Sequence, residues 1–287
     1  MENPIMSLSI ITNVQSLKVQ QNLTAATDKL NTAIERMTTG YKINSAKDDA
    51  AGYSIASQMD AKLSSYDVAA SNAQIGLDML TTTEENYSLI TDHLQRIRDL
   101  TEQAANGTYS DDSRAAIEAE IKSRLAEIDR VAGSAEYNGI ALMDGTAGAI
   151  NIQIGINSDA NSKITLAASL FGDAKAQTII NQGDNDTFAG KCADAATAAA
   201  QLDHIDTAIN NISTRVTTLG ASQNRLESAL DSIQVTTENL TSSLSTVKDA
   251  DIATESTRYL QAQILQSAAT TLLSTANQTP SIALQLI

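Results

Sequence analysis

Hydrophobic positions near the C-terminal half recur in alternating steps of three and four residues. The run is Leu202, Ile205, Ile209, Ile212, Val216, Leu219, Gln223, Leu226, Leu230, Ile233, Thr237, Leu240, Leu244 and Val247. Such spacing keeps one apolar seam on one side of a helix and predicts packing against other helices. At 1.5 Å per residue the seam extends roughly 70 Å, too long for an ordinary globular core. A matching stripe near the other end runs through Val19, Leu23, Ala26, Leu30, Ala33 and Met37. Gln223 and Thr237 interrupt the long seam. They read either as buried polar groups that specify register or as polar positions that a long bundle tolerates.

The order of elements follows from the breaks. Residues 8–39 predict a long helix with Gly40 as its C-cap. Ser45 is expected to cap the next helix, with Asp48 completing a capping-box pattern and Asp49 beside the positive helix end. A second stripe passes through Leu63, Tyr66, Ala70, Ala73, Leu77, Leu80, Tyr87, Ile90, Leu94 and Ile97, until Asn106-Gly107 breaks it. Ser110, Asp111 and Asp112 restart a helix with Ile117, Ile121, Leu125 and Ile128 on its seam, ending near Gly133. Asn138-Gly139 is a turn signal. Ile150, Ile152, Ile154 and Ile156 then alternate with polar residues or Gly, predicting a strand with one buried face that turns through 157–162 into Lys163–Leu166. Residues 171–191, rich in Gly, Asp and Asn, read as a surface loop, and helix resumes by Ala193. The expected fold is mainly α: a long antiparallel helical bundle or coiled coil formed by the N- and C-terminal segments, with a small β-hairpin insert.

Composition sharpens this picture. There is no Trp and there are only two Phe, so a deep aromatic-lined ligand pocket is not expected. The two prolines, Pro4 and Pro280, lie near the ends and leave the interior without the strongest helix breaker. The net charge of −15 argues against nucleic acid as a partner. That charge is uneven: residues 1–41 sum to 0 and residues 250–287 to −1, which leaves −14 for the middle. No residue from Tyr259 to Ile287 is charged. A single cysteine, Cys192, forms no internal disulfide and reads as a small packed side chain. No cleaved secretory signal and no membrane-inserting run is expected.

Candidate chemistry is sparse. His93 and His204 sit in no zinc motif, and Asp48/Asp49, Asp111/Asp112 and Asp249/Asp251 lack calcium-loop spacing. Catalytic, cofactor-binding and metal sites are therefore all expected to be none.

The segment Ile43-Asn44-Ser45-Ala46-Lys47-Asp48-Asp49-Ala50-Ala51-Gly52 resembles the signature of bacterial flagellins. So do Leu94–Leu100, Glu127–Arg130 with Tyr137-Asn138-Gly139, Leu219–Leu226, Asp249–Ala253 and Ala276–Pro280. These matches are collinear and span most of the chain. The resemblance implies a structural, non-enzymatic subunit that polymerises into the flagellar filament. It implies an inner-tube coiled coil from residues 1–44 with 250–287, ordered only on assembly, and a long-helix bundle from 45–138 with 192–249. Residues 139–191 would then form the hairpin and a short variable region, where longer members carry large outer domains. Residues Met1–Ile5 precede a more usual-looking start at Met6.

The same resemblance assigns inner-tube assembly to Val19, Leu23, Leu30, Met37, Leu260, Ile264 and Leu272, and a bundle seam to Leu226, Leu230, Ile233, Leu240 and Leu244. It implies a surface for the vertebrate flagellin receptor at Gln95, Arg96, Leu100, Glu120 and Arg124. A peptide read by the plant flagellin receptor would include Ser45, Lys47, Asp48, Asp49 and Gly52, with Tyr41 and Tyr53 departing from the usual pattern. Further implied partners are identical copies, an export chaperone at the C-terminal tail, and the filament cap and hook-junction proteins. The implied location is extracellular, reached by the flagellar type III route. The rival readings are a hook–filament junction protein, which shares the terminal helices, and a secreted coiled-coil adaptor.

Overall fold

The computed structural model describes residues 12–285, with side chains through Gln278; the expected helix start at 8–11 and the two starts Met1 and Met6 lie outside them. Seven helices occur among the described residues: α1 (Val14–Thr39), α2 (Ala50–Ala105), α3 (Asp111–Ser134), α4 (Ala176–Ile180), α5 (Asn185–Lys191), α6 (Ala195–Lys248) and α7 (Ile252–Gln285). Their ends follow local chemistry. The Asn13 side chain accepts the Ser16 N–H at 3.0 Å to open α1, and Gly40, at φ 75°, closes it with its N–H on Arg36 O. Glycine is required there because only it enters the left-handed region without a Cβ penalty. Ser110 caps α3, and Asp194 and Asp251 accept first-turn N–H groups of α6 and α7.

Contacts divide the chain into two compact units: one runs through Ala61 and resumes at Asn239, the other is Lys62–Glu238. The second unit holds the larger core. Leu80, Tyr87, Ile90, Leu94 and Ile97 of α2 meet Ile121, Leu125 and Ile128 of α3 and Ile205, Ile212, Leu219 and Leu226 of α6, all fully buried. Burying each such side chain stabilises by about 1.5–3 kcal/mol, so this cluster anchors the unit.

The insert between α3 and α6 starts with a hairpin of β1 (Glu136–Tyr137) and β2 (Ile140–Ala141), turned by Asn138 and Gly139 at φ 49° and 81°. Two left-handed residues at the corner match the twist of the flanking strands. A second antiparallel pair joins β3 (Ile150–Gln153) to β4 (Lys163–Leu166), with Ile152 opposite Ile164. The alternation of isoleucines suggested a strand to Ile156, but pairing stops at Gln153: the Ile154 and Gly155 N–H groups both turn onto Ser162 O.

The expectation of a surface loop over 171–191 is corrected. This stretch holds α4 and α5, preceded by a short 3-10 turn at Ala168–Phe171. Phe171 and Phe188, the two phenylalanines of the chain, are both buried, together with Leu170, Ile179, Ile180 and Cys192. Helices of five and seven residues are too short to display a 3.6-residue period, so composition masked them. Long-range polar bonds fasten the insert. Tyr87 Oη donates to Leu170 O at 2.8 Å, Arg215 donates to Gly172 O at 2.8 Å, and Asp129 accepts the Ala176 N–H at 2.8 Å.

Candidate functional site

The first unit is built on α1 and α7, which run antiparallel. Four side-chain contacts fix their register: Asn13 to Ala276 O at 2.8 Å, Ser16 to Asn277 at 2.8 Å, Gln266 to Thr27 at 3.1 Å and Arg36 to Glu255 at 3.3 Å. On α1 the seam is Val19, Leu23, Leu30 and Met37, all half-buried, with Ala26 and Ala33 buried between them. On α7 the buried members are Glu255, Ala262, Ala269 and Ala276, alternating with half-buried Tyr259, Gln266 and Leu273. Small seam residues let the two helices approach closely. They also bury little apolar surface, since each CH₂ contributes only about 0.8 kcal/mol.

The three α7 residues singled out for assembly lie elsewhere. Leu260, Ile264 and Leu272 are 55%, 69% and 58% exposed. Positions 260, 264, 268 and 272 follow one i,i+4 row; at 100° per residue Leu260 and Ile264 lie about 160° and 200° round the helix from Ala262, and the row drifts until Leu272 flanks the alanine face. Leu265 adds further exposed apolar surface beside them. Within one chain, α7 therefore packs Ala262, Ala269 and Ala276 and leaves Leu260, Ile264, Leu265 and Leu272 uncovered.

Glu255 is the residue that hydrophobic reasoning passed over. Its side chain is 5% exposed, held by Arg36 at 3.3 Å and Arg258 at 2.6 Å. Its place in the four-and-three rhythm from Glu255 through Tyr259, Ala262, Gln266, Ala269, Leu273 and Ala276 was readable in the sequence. An open polar cleft of about 330 Å³ lies beside it, lined by Asp48, Asp49, Asp251 and Arg258 among others.

Residues 41–52 fold back on the same unit. The Lys42 N–H donates to Lys248 O and the Ala250 N–H to Gly40 O, both at 2.8 Å, while the Lys248 ammonium sits 4.6 Å from the Tyr41 ring centroid. The expectation that Ser45 caps the second helix is corrected. The Asp49 carboxylate accepts the Ala51 and Gly52 N–H groups, so Asp49 caps α2. Asp48 instead accepts from the Ser45 N–H, the Ser45 hydroxyl and the Asn44 N–H, closing a turn ahead of the helix. Those donors, the Ser45 N–H foremost, hold the Asp48 carboxyl below its ordinary pKa. Ser45, Lys47, Asp48 and Asp49 are exposed, whereas Gly52 is buried: a Cβ there would lie 2.6 Å from Ile43 Cδ1.

In the second unit, Gln95 and Arg96 are exposed on α2, and Glu120 of α3 accepts from Arg96 at 3.3 Å and from Arg124 at 3.4 Å. Leu100 departs from the expected surface. It is 2% exposed in the core, one turn beyond Ile97 on the buried face of α2. Leu226 and Ile233 are buried and Leu230 half-buried in this unit, and Leu240 and Leu244 are half-buried in the other. Gln223 donates to Glu84 at 2.9 Å, so one polar seam position has a specific partner. His93 lies 3.5 Å from Arg124, and His204 lies 3.2 Å from Gln182. Burial pushes the Cys192 thiol up to about 11, which keeps it protonated at neutral pH. The sequence placed Tyr87 on the apolar stripe of α2 and Asp129 in a family-like segment, but nothing there pointed to the bonds by which Tyr87, Asp129 and Arg215 fasten the insert.

Comparison with known proteins agrees with this architecture. The pattern of the bacterial flagellin N-terminal helical region matches residues 10–148, and that of the C-terminal helical region matches 202–287. The flagellin of Listeria monocytogenes is 35% identical over 98% of this chain and 99% of its own length. Flagellin FlaB1 of Treponema pallidum is 30% identical over 96% and 98%. Among solved structures, a putative flagellar hook-associated protein from Vibrio parahaemolyticus superposes with a TM-score of 0.59, covering 70% of this chain and 100% of that one at 17% identity, a likeness of fold. With two terminal helical regions matched and relatives aligned nearly end to end, the chain belongs to the bacterial flagellin family, the structural and non-enzymatic subunits of the flagellar filament.

Proposed function

We propose that this flagellin assembles by covering the aliphatic ridge of α7 with neighbouring copies, and that its terminal helices gain their full order in doing so. The observation that carries this reading is the inverted burial of α7, with alanines inside the pair and Leu260, Ile264 and Leu272 outside. Most helical stability in proteins comes from packing an apolar face. The α1–α7 seam supplies little of that, and the uncovered ridge supplies it only to an assembled subunit. In this reading the inner layer is 1–44 with 250–287, the bundle is 45–138 with 192–249, and the short 139–191 segment lies outermost.

The test is Ile264→Asp, at a position whose 69% exposure frees the single chain from depending on it. An unpaired carboxylate forced into an apolar interface costs more than about 2 kcal/mol. The variant should keep its cooperative unfolding as a monomer and yield no long filaments by electron microscopy and sedimentation. Normal filaments from Ile264→Asp would overturn the assignment.

Export and recognition follow from the same reading. The tail from residue 250 onward is the proposed chaperone site, presented before assembly, and the flagellar type III route carries the subunit outside the cell. Arg96, with Gln95, Glu120 and Arg124, forms the proposed vertebrate receptor surface, and Leu100 supports it from beneath. Arg combines fork hydrogen bonding with an apolar stem, so Arg96→Ala should weaken receptor activation by monomers. The exposed side chains of Ser45, Lys47, Asp48 and Asp49 are the proposed plant-receptor contacts. Hook–filament junction is the second reading, supported by the fold shared with the Vibrio protein. Microscopy of sheared appendages separates the two: a filament subunit runs the length of the fibre, and a junction protein occupies one end.

A further inference from the structure

The sequence contains two Asn-Gly pairs, and their surroundings differ. At the β1–β2 corner, Asn138 and Gly139 are held in left-handed conformations, and the Gly139 N–H donates to Glu136 Oε1 at 3.0 Å. That nitrogen is engaged. Asn106-Gly107 instead lies in the exposed link between α2 and α3. There Asn106 Oδ1 accepts from the Thr108 N–H at 3.1 Å and from the Thr108 hydroxyl at 3.0 Å. The Gly107 N–H meets no protein acceptor among the described residues, and a Cβ on Gly107 would find nothing within 4 Å.

We infer that Asn106 is a site of spontaneous self-modification, in which the Gly107 backbone nitrogen attacks the Asn106 side-chain amide. The Gly107 nitrogen loses its proton to water or hydroxide and bonds to Asn106 Cγ. The Cγ–Nδ2 bond then breaks, Nδ2 takes up a proton and leaves as ammonia, and a five-membered imide remains. Water adds to one of the two imide carbonyls and opens the ring to aspartate or isoaspartate. No electrons are exchanged with any other group, and water is the only co-reactant.

Three features favour this pair over the other. Both glycines lack a side chain that would obstruct closure, but only Gly107 has no engaged N–H. The two Thr108 donors already point at Oδ1, the oxygen that gains negative charge when the nitrogen adds, as donors in an oxyanion hole do. A link outside regular secondary structure also gives the backbone room to bend toward the side chain. The outcome has a structural consequence. Either product places a carboxylate at the C-terminal end of the 56-residue α2, where the helix dipole disfavours negative charge. Asp111 and Asp112 follow a few residues on. The isoaspartate form also lengthens the backbone between two helices that share a core.

The experiment incubates the full-length folded protein at mildly alkaline pH and follows peptides by mass spectrometry, with isoaspartate scored enzymatically. A urea-unfolded sample serves as the reference. The unfolded chain should convert at both Asn106 and Asn138, and the folded chain at Asn106 alone. Gly107→Ala, which has space for its methyl group, should slow conversion by about tenfold or more. Thr108→Val removes the hydroxyl donor, keeps the backbone donor, and should slow it severalfold. Equal conversion of Asn106 and Asn138 in the folded chain overturns the proposal. So does an Asn106 that stays intact while the unfolded chain reacts, or a Thr108→Val protein that converts at the parental rate.

Discussion

Gly76 marks where the second hairpin rests on α2, and replacing it tests that packing. A Cβ at Gly76 would overlap Ile152 Cδ1, with Ile152 Cγ1 at 3.3 Å and Leu226 Cδ1 at 3.4 Å. Two effects oppose each other in Gly76→Ala. Alanine in a helix interior gains about 1 kcal/mol over glycine, and overpacking a closed site costs about 1–3 kcal/mol. The expected net is a loss of roughly 0–2 kcal/mol, a small number that would prove little alone. Gly220→Ala supplies the reference. Gly220 lies inside α6, and the nearest atom to its added Cβ is Gln223 Oε1 at 4.0 Å. That variant should be more stable than the parent by about 1 kcal/mol. The gap between the two glycine variants, about 1–3 kcal/mol, isolates the contact.

The closest atom belongs to one methyl group, so the clash should be removable. Ile152→Val deletes Cδ1 and by itself costs about 0.5–1.5 kcal/mol. In the Gly76→Ala background the same deletion relieves the overlap and should cost almost nothing, or restore stability. Urea unfolding of the monomeric full-length chain measures all four corners of this cycle, and the coupling should reach about 1 kcal/mol. Strict additivity would refute the placement of β3 on α2, as would a Gly76→Ala protein stabilised as much as Gly220→Ala.

Three other outcomes follow from named contacts. Arg36→Ala leaves the buried Glu255 carboxylate with Arg258, which is 57% exposed; the loss of about 1.5 kcal/mol should raise the critical concentration for polymerisation about tenfold, and an unchanged value would remove Arg36 from the seam. Cys192, raised from 9.0 to about 11, favours the folded state while the thiol is protonated. That contribution is complete below pH 9 and fades as pH climbs toward 11, so Cys192→Ala should flatten part of the alkaline loss of stability, and the parental thiol should resist labelling at pH 8 until the chain unfolds. The charge of −14 on the middle of the chain makes neighbouring subunits repel, so added salt should speed polymerisation through screening and sulfate should speed it further; rates flat across ionic strength would exclude this repulsion.

The long elements were legible because their signals repeat. Fourteen seam positions from Leu202 to Val247 hold one register, and none of them is exposed in the structure. Single-residue signals sufficed at Gly40 and at Asn138-Gly139, where backbone geometry leaves little choice. Elements with neither repetition nor a special backbone were not legible. The helices at 176–180 and 185–191 complete less than two turns each, and the clasps by Tyr87, Arg215 and Asp129 join residues more than 40 positions apart. Asp49 displaced Ser45 as the cap of α2 because two adjacent acids offered the same chemistry, and only the turn closed by Asp48 decides between them.

The burial pattern of α7 carries the most information. The family resemblance placed assembly on Leu260, Ile264 and Leu272, and within one chain these three stay exposed while Ala262, Ala269 and Ala276 are buried. A chain designed to be stable alone would reverse that arrangement, since a buried leucine contributes about 1.5–3 kcal/mol and an alanine methyl far less. Two apolar faces on a helix uncharged from Tyr259 onward therefore divide the work. The alanine face sets how closely and in what register α1 and α7 approach, with Glu255 between Arg36 and Arg258 penalising a slip. The aliphatic face holds most of the hydrophobic free energy available to α7, and it is released only when something outside the chain covers it. In the proposed assembly the subunit stays single until neighbouring copies cover that face, which is why the strong face belongs on the outside.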